Sequence, residues 1–67
     1  MTLQQRFAAN LKKVRLSRKL SQEALGRKAN VCTSYVSMLE RGQRSPPLET
    51  LEGLAIALGT TPQRLLA

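Results

Sequence analysis

Thr33, Ser34, Ser37 and Met38, with Arg41 after them, bring three hydroxyls, a thioether and a guanidinium into one short stretch. That set performs recognition. A hydroxyl donates or accepts a hydrogen bond, Met meets another methyl group, and Arg meets an anion. The chain has no His and 1 Cys, so it offers neither a His-based acid–base pair nor a cluster of metal ligands. No enzyme activity, cofactor or metal is expected. The composition favours a polyanionic partner, since 11 Lys and Arg against 4 acidic residues give a net charge of +7. Its distribution is more telling than its total. Arg6, Lys12, Lys13, Arg15, Arg18, Lys19, Arg27 and Lys28 face only Glu23 in the first part of the chain, and the remainder is neutral.

Something must display the stretch from Thr33 to Arg41. The segment Leu20 to Gly42, LSQEALGRKANVCTSYVSMLERG, fits two short amphipathic helices joined at Ala29-Asn30-Val31-Cys32, too few residues for anything but a tight turn. That is a helix-turn-helix pattern. Ser21 is predicted to cap the first helix, with Leu20 and Leu25 placed for a hydrophobic staple. Leu25, Gly26 and Ala29 form its inner stripe, Gly26 facing the second helix where close crossing demands a small residue. Asn30 sits in the turn, and Asn tolerates a positive φ. The second helix is predicted from Thr33 to Arg41, closed by Gly42, with Val36 and Leu39 inward. Thr33, Ser34, Ser37, Met38 and Arg41 are left on the outer face. Glu and Lys would serve solubility better, so hydroxyls suggest a face that approaches another surface closely; the plainer alternative is an ordinary polar face. Cys32 lies where Ser or Thr caps are common, Thr33 is the substitute cap, and Cys32 reads as a small packed thiol in preference to a redox sensor.

The flanks supply a core. Thr2 and Gln5 are spaced as a capping box, and Leu3, Phe7, Leu11 and Val14 recur at helical spacing. This first helix has no Gly or Pro to stop it between Leu16 and Lys19. After the polar loop Gln43-Arg44-Ser45-Pro46-Pro47, a fourth helix is predicted from Leu48 to Leu58. Leu51, Leu54, Ala55 and Leu58 point inward there, and Glu49 and Glu52 favour its N-terminal dipole. Gly59 ends it. Thr60-Thr61-Pro62 then opens a short helix from Gln63 to Leu66. A chain of 67 residues is one all-α domain, near the size at which burial barely exceeds chain entropy. Without a long apolar stretch or a basic helix with an exposed aromatic face, no membrane contact is expected. With no visible signal peptide and a lone Cys, the expected location is a reducing cytoplasm, at the nucleoid.

In L-S-Q-E at 20 to 23, S-Y-V-S-x-L-E-R-G at 34 to 42, and Pro46-Pro47 before a Leu-rich helix ending A-L-G at Gly59, the chain resembles the Cro/C1-type helix-turn-helix of phage repressors and Xre-like regulators. The resemblance spans Phe7 to Leu66. It implies a compact five-helix lambda-repressor-like domain with the motif at helices 2 and 3, and a transcriptional regulator, a repressor foremost, that binds double-stranded DNA at a palindromic operator. By position, Thr33, Ser34, Ser37 and Met38 face bases, while Gln22, Tyr35, Arg41, Gln43, Arg44 and Ser45 face the DNA backbone. Gln22 also braces Thr33, and Tyr35 equally well lies across the core edge. Phage repressors often carry Gln where this chain has short hydroxyls, so readout here leans on water, DNA shape or a long side chain from elsewhere. Arg18, Lys19 and Arg27 add attraction at a distance, and Lys12 and Lys13 are simply solvated. The resemblance further implies a partly buried Arg15–Glu40 ion pair and a homodimer, weak in solution and tighter on DNA. That dimer would form through Leu58, Leu65 and Leu66, with one of Leu65 and Leu66 closing the core. No small-molecule ligand is implied. Open alternatives are a protein-interaction module, a controller protein or an antitoxin.

Overall fold

Each helix of this chain is short, and its own sequence fixes where it starts and stops. The computed structural model describes residues 1–67 and contains α1 (Leu3–Ser17), α2 (Gln22–Ala29), α3 (Thr33–Glu40), α4 (Leu48–Leu58) and α5 (Pro62–Leu66). At the start of α1 the Thr2 hydroxyl accepts from the Gln5 amide at 3.1 Å and the Gln5 side chain accepts from the Thr2 amide at 2.8 Å. Ser21 accepts from the Ala24 amide at 3.0 Å, and Thr61 from the Arg64 amide at 3.3 Å. Each bond satisfies a first-turn donor that the helix cannot pair itself. At α3 the outcome differs from the expectation. Cys32 holds the cap position without a side-chain bond, Thr33 is already helical, and the Cys32 thiol is exposed, not packed. The turn bond from the Val31 amide to the Gly26 carbonyl, 2.8 Å, brings the chain round one residue early for Thr33 to cap.

The C-terminal ends of α1 to α4 share one device. Lys19, Asn30, Gly42 and Gly59 follow them in the left-handed conformation, with φ of 58, 61, 73 and 67°. The next amide in each case reaches back five residues: Leu20 to Arg15 at 3.2 Å, Val31 to Gly26 at 2.8 Å, Gln43 to Met38 at 3.0 Å and Thr60 to Ala55 at 2.9 Å. These are Schellman-type closures. Gly and Asn suit the backbone they require. Lys19 does not, because its Cβ is crowded in that region.

α1 packs on α3 and α5, α2 on α3 and α4, and α4 on α5, around a core of Phe7, Leu11, Leu25, Val36, Leu39, Leu51, Leu54, Ala55, Leu58 and Leu65. Leu3 is 58% exposed, against its predicted inward place. It heads α1 and rims an apolar groove with Phe7, Pro46, Leu48, Leu51 and Leu66. A second correction concerns Leu58 and Leu65, expected at a dimer surface. They are 2% and 0% exposed, so neither can reach another copy without unfolding. The Asn10 amide donates to the Leu65 and Ala67 carbonyls at 3.1 and 3.0 Å and folds α5 back on α1, which drives Leu65 inward and leaves Leu66 half-buried. Gly26 is needed for a closer contact than the one expected with the second helix. A Cβ there would lie 2.6 Å from the Val31 carbonyl oxygen of the turn.

Two stability outcomes follow. Gly26→Ala gains about 1 kcal/mol of helix propensity. It must also displace backbone at the turn, an overpacking cost of typically 1–3 kcal/mol, so urea denaturation should show a net loss. Lys19→Gly releases about 1–2 kcal/mol of left-handed strain, partly offset by the greater freedom of Gly in the unfolded chain. The midpoint of thermal unfolding should rise by a few degrees.

Candidate nucleic-acid interface

Val36 and Leu39, both 0% exposed, anchor α3 to the core and fix which of its faces is left outside. Helical geometry then turns Thr33, Ser34, Ser37 and Met38 outward. Thr33 and Ser34 are exposed and Ser37 and Met38 half-buried. With Gln22 from the start of α2 and Arg41 just past α3, these four line one open depression in which Met38 is the one hydrophobic residue. The hydroxyls of Thr33, Ser34 and Ser37 take no partner from the chain itself, so their hydrogen-bonding capacity faces outward.

The other sequence-predicted residues lie around this depression. Tyr35 is half-buried and packs against the core edge. Gln43 and Arg44 are exposed in the loop after α3. Ser45 donates its hydroxyl to the Gln4 side chain at 2.8 Å, while the Gln4 amide donates to the Gly42 carbonyl. Gln4 thus clips the loop to α1. Nothing in the sequence marks it apart from other polar helix residues.

Beneath the depression lies a buried polar junction. The Arg15 guanidinium donates to both oxygens of Glu40, from Nε at 2.6 Å and Nη2 at 3.0 Å, and its Nη1 donates to the Leu20 carbonyl at 2.8 Å. The two side chains are 9% and 3% exposed. Gln22 donates its amide to Glu40 Oε1 at 3.1 Å, so its bond runs to Glu40 and not to Thr33. Among the basic side chains only Arg15 meets a carboxylate. Arg18, expected to act at a distance, donates Nε to the Leu58 carbonyl at 2.8 Å and holds the end of α4. Lys12, Lys13, Lys19, Arg27, Lys28, Arg41 and Arg44 are exposed.

Known proteins are similar to this chain in sequence and in fold. A helix-turn-helix family (HTH_3) matches residues 11–65 of the chain. The immunity repressor protein of Bacillus phage phi105 is 46% identical over 59 residues, which are 88% of this chain and 38% of that protein. The chain therefore spans well under half the length of that relative. The control protein C.BamHI of Bacillus amyloliquefaciens is 36% identical over 61 residues, 90% of this chain and 75% of its own length. Among solved structures, the restriction-modification controller protein C.AhdI of Aeromonas hydrophila superposes with a TM-score of 0.89 at 37% identity, covering 92% of this chain and 94% of that one. With its motif at α2 and α3 and this match along most of its length, the chain belongs to the Cro/C1-type helix-turn-helix family.

Proposed function

We propose that the chain binds duplex DNA sequence-selectively, with α3 in the major groove, and regulates transcription, foremost as a repressor at a palindromic operator. The observation that carries this reading is the depression formed by Gln22, Thr33, Ser34, Ser37, Met38 and Arg41 on the outer side of the two-helix motif. With its side chains a helix is ~10–12 Å across, which the ~12 Å width of the major groove admits. In this reading Thr33, Ser34 and Ser37 exchange hydrogen bonds with base edges, and Met38 meets a thymine methyl. Gln22, Tyr35, Arg41, Gln43, Arg44 and Ser45 approach the phosphates and fix the register. An immunity repressor among the relatives supports repression, and the controller proteins support a restriction-modification setting as the second reading.

The working form is a homodimer. The domain measures 28 × 21 × 21 Å, and half-sites one helical turn apart are separated by ~34 Å. Because that separation exceeds the longest dimension of the domain, two copies so placed reach each other at most through side chains at one end, which makes a dimer that is weak in solution and tightens on DNA. With Leu58 and Leu65 inside, the apolar groups left for that contact are Leu66 and its groove neighbour Leu48, which is 82% exposed. No helix is long and apolar enough to cross a membrane. The cytoplasmic nucleoid is the place where this activity would operate.

Selection from a randomised duplex library tests the reading, and it should enrich a palindrome. Enrichment of nothing, together with capture of a protein partner by the same face, would transfer α3 to the protein-interaction alternative. On the selected duplex, Arg44→Ala should weaken all sequences alike and flatten the log–log salt slope by about 0.9 per subunit. Ser37→Ala should leave that slope unchanged and relax base preference at one position of each half-site, by about 1–3 kcal/mol at most.

A further inference from the structure

We infer that Glu40 is a positioning residue for Gln22, so that the buried ion pair beneath the motif also sets the geometry of the interface above it. The inference rests on the DNA-binding reading of the depression that Gln22 lines. A carboxylate can only accept hydrogen bonds, so the atom of Gln22 that lies 3.1 Å from Glu40 Oε1 is the amide nitrogen. That choice fixes the rest of the amide. Its oxygen and its second N–H take no bond from the chain and are left as an acceptor and a donor, the free edge of the amide. An unrestrained Gln at the first position of an exposed helix turns freely and presents that edge only part of the time.

Glu40 can do this because Arg15 holds it. At 3% exposure its carboxylate is removed from water, and the Arg15 fork occupies both oxygens at 2.6 and 3.0 Å. Oε1 has a lone pair to spare, and Gln22 takes it. The dependence runs one way. Without Gln22 the carboxylate keeps both bonds from Arg15, whereas without Glu40 nothing else in the chain bonds the Gln22 amide. Gln22 is therefore dispensable for folding and ordered by it. Ordering a side chain before its partner arrives spares the entropy of ordering it afterwards, an advantage of roughly three- to tenfold in affinity.

The test compares wild type, Gln22→Ala, the double variant Arg15→Met with Glu40→Leu, and the triple variant. The readouts are thermal unfolding and fluorescence anisotropy on the duplex that wild type selects. Removing both charges together leaves no buried ion unpaired and is often neutral or stabilising, so the double variant should melt near wild type. Gln22→Ala should leave the melting temperature unchanged and weaken binding roughly three- to tenfold. The double variant should lose a similar factor, and adding Gln22→Ala to it should cost less than about twofold more, because coupled sites are not additive. Full additivity in the triple variant, or wild-type affinity in the double variant, would overturn the inference. A measurement on unmodified, DNA-free protein stands beside these variants and is independent of their folding. Side-chain 15N relaxation should find the Gln22 amide ordered relative to that of exposed Gln63, and equal mobility would overturn the inference as well. Were wild type to select no duplex at all, the DNA reading would fail on that result, and the relaxation measurement would still decide whether Glu40 holds Gln22.

Discussion

One buried carboxylate joins the three helices that matter most. Arg15 lies in the last turn of α1, Leu20 precedes the cap of α2, and Glu40 ends α3. The Arg15 guanidinium ties the first of these to the other two in a single fork. Taking two charges out of water costs several kcal/mol per ion, and such a pair holds only when its geometry is good and its remaining hydrogen-bonding capacity is met. Both conditions are satisfied here, and no buried side-chain nitrogen or oxygen in the chain lacks a partner. Two parallel bonds specify an orientation as well as a distance, so the fork holds the Glu40 carboxylate in one plane. The position of α3 itself is set by Val36 and Leu39 in the core and by Gly26, where the Val31 carbonyl comes too close for any side chain.

Such fixing is necessary because the helices cannot sustain themselves. α2 and α3 have 8 residues each, and isolated helices shorter than ~12–15 residues are marginal in water. Their stability comes from capped ends and from a core in which Leu25, Val36, Leu39 and Leu54 are all 0% exposed. The left-handed closures add a topological benefit, since each reverses the chain within a few residues and keeps packing partners close in sequence. Where a β-carbon is tolerated at such a closure, as at Lys19, the fold absorbs strain in return for a short connection.

Features decided by local chemistry could be read from the sequence. The caps at Thr2, Ser21 and Thr61, the closures at Asn30, Gly42 and Gly59, and the inward stripe of α4 follow from the residue types at those positions. Features decided by the approach of distant segments could not. Lys19 adopts a left-handed conformation that nothing in its own chemistry favours. Which of Leu65 and Leu66 closes the core depends on how α5 folds back, and the Asn10 bonds responsible connect residues 55 and 57 positions apart. Arg18 looked like any solvated cation until its partner, the Leu58 carbonyl 40 residues away, was in view. In the candidate site, periodicity placed the outer face of α3 correctly because two buried residues suffice to orient a helix. The Gln22–Glu40 bond escaped notice because it needs the crossing of α2 and α3 as well as their faces.

The charges divide according to what they hold. Arg15 and Arg18 are engaged within the fold, and the remaining basic side chains meet no carboxylate, which leaves an excess of +7 to repel itself. At the centre of the candidate site the side chains are hydroxyls and a thioether, with Arg41 at its margin and Arg44 in the adjoining loop. The two groups act over different distances. Cations attract a polyanion over about 8–10 Å at moderate ionic strength without distinguishing one sequence from another. Neutral hydroxyls contribute nothing at that range and discriminate only in contact, where each must find a donor or acceptor of the right kind. A uniformly basic face would hold every duplex tightly and slow the search for one site. On the proposed reading, keeping the centre of α3 uncharged confines the sequence-blind attraction to its surroundings, so that the choice among duplexes falls to the short-range bonds of Thr33, Ser34 and Ser37, with a pre-oriented Gln22 fixing the register on the backbone.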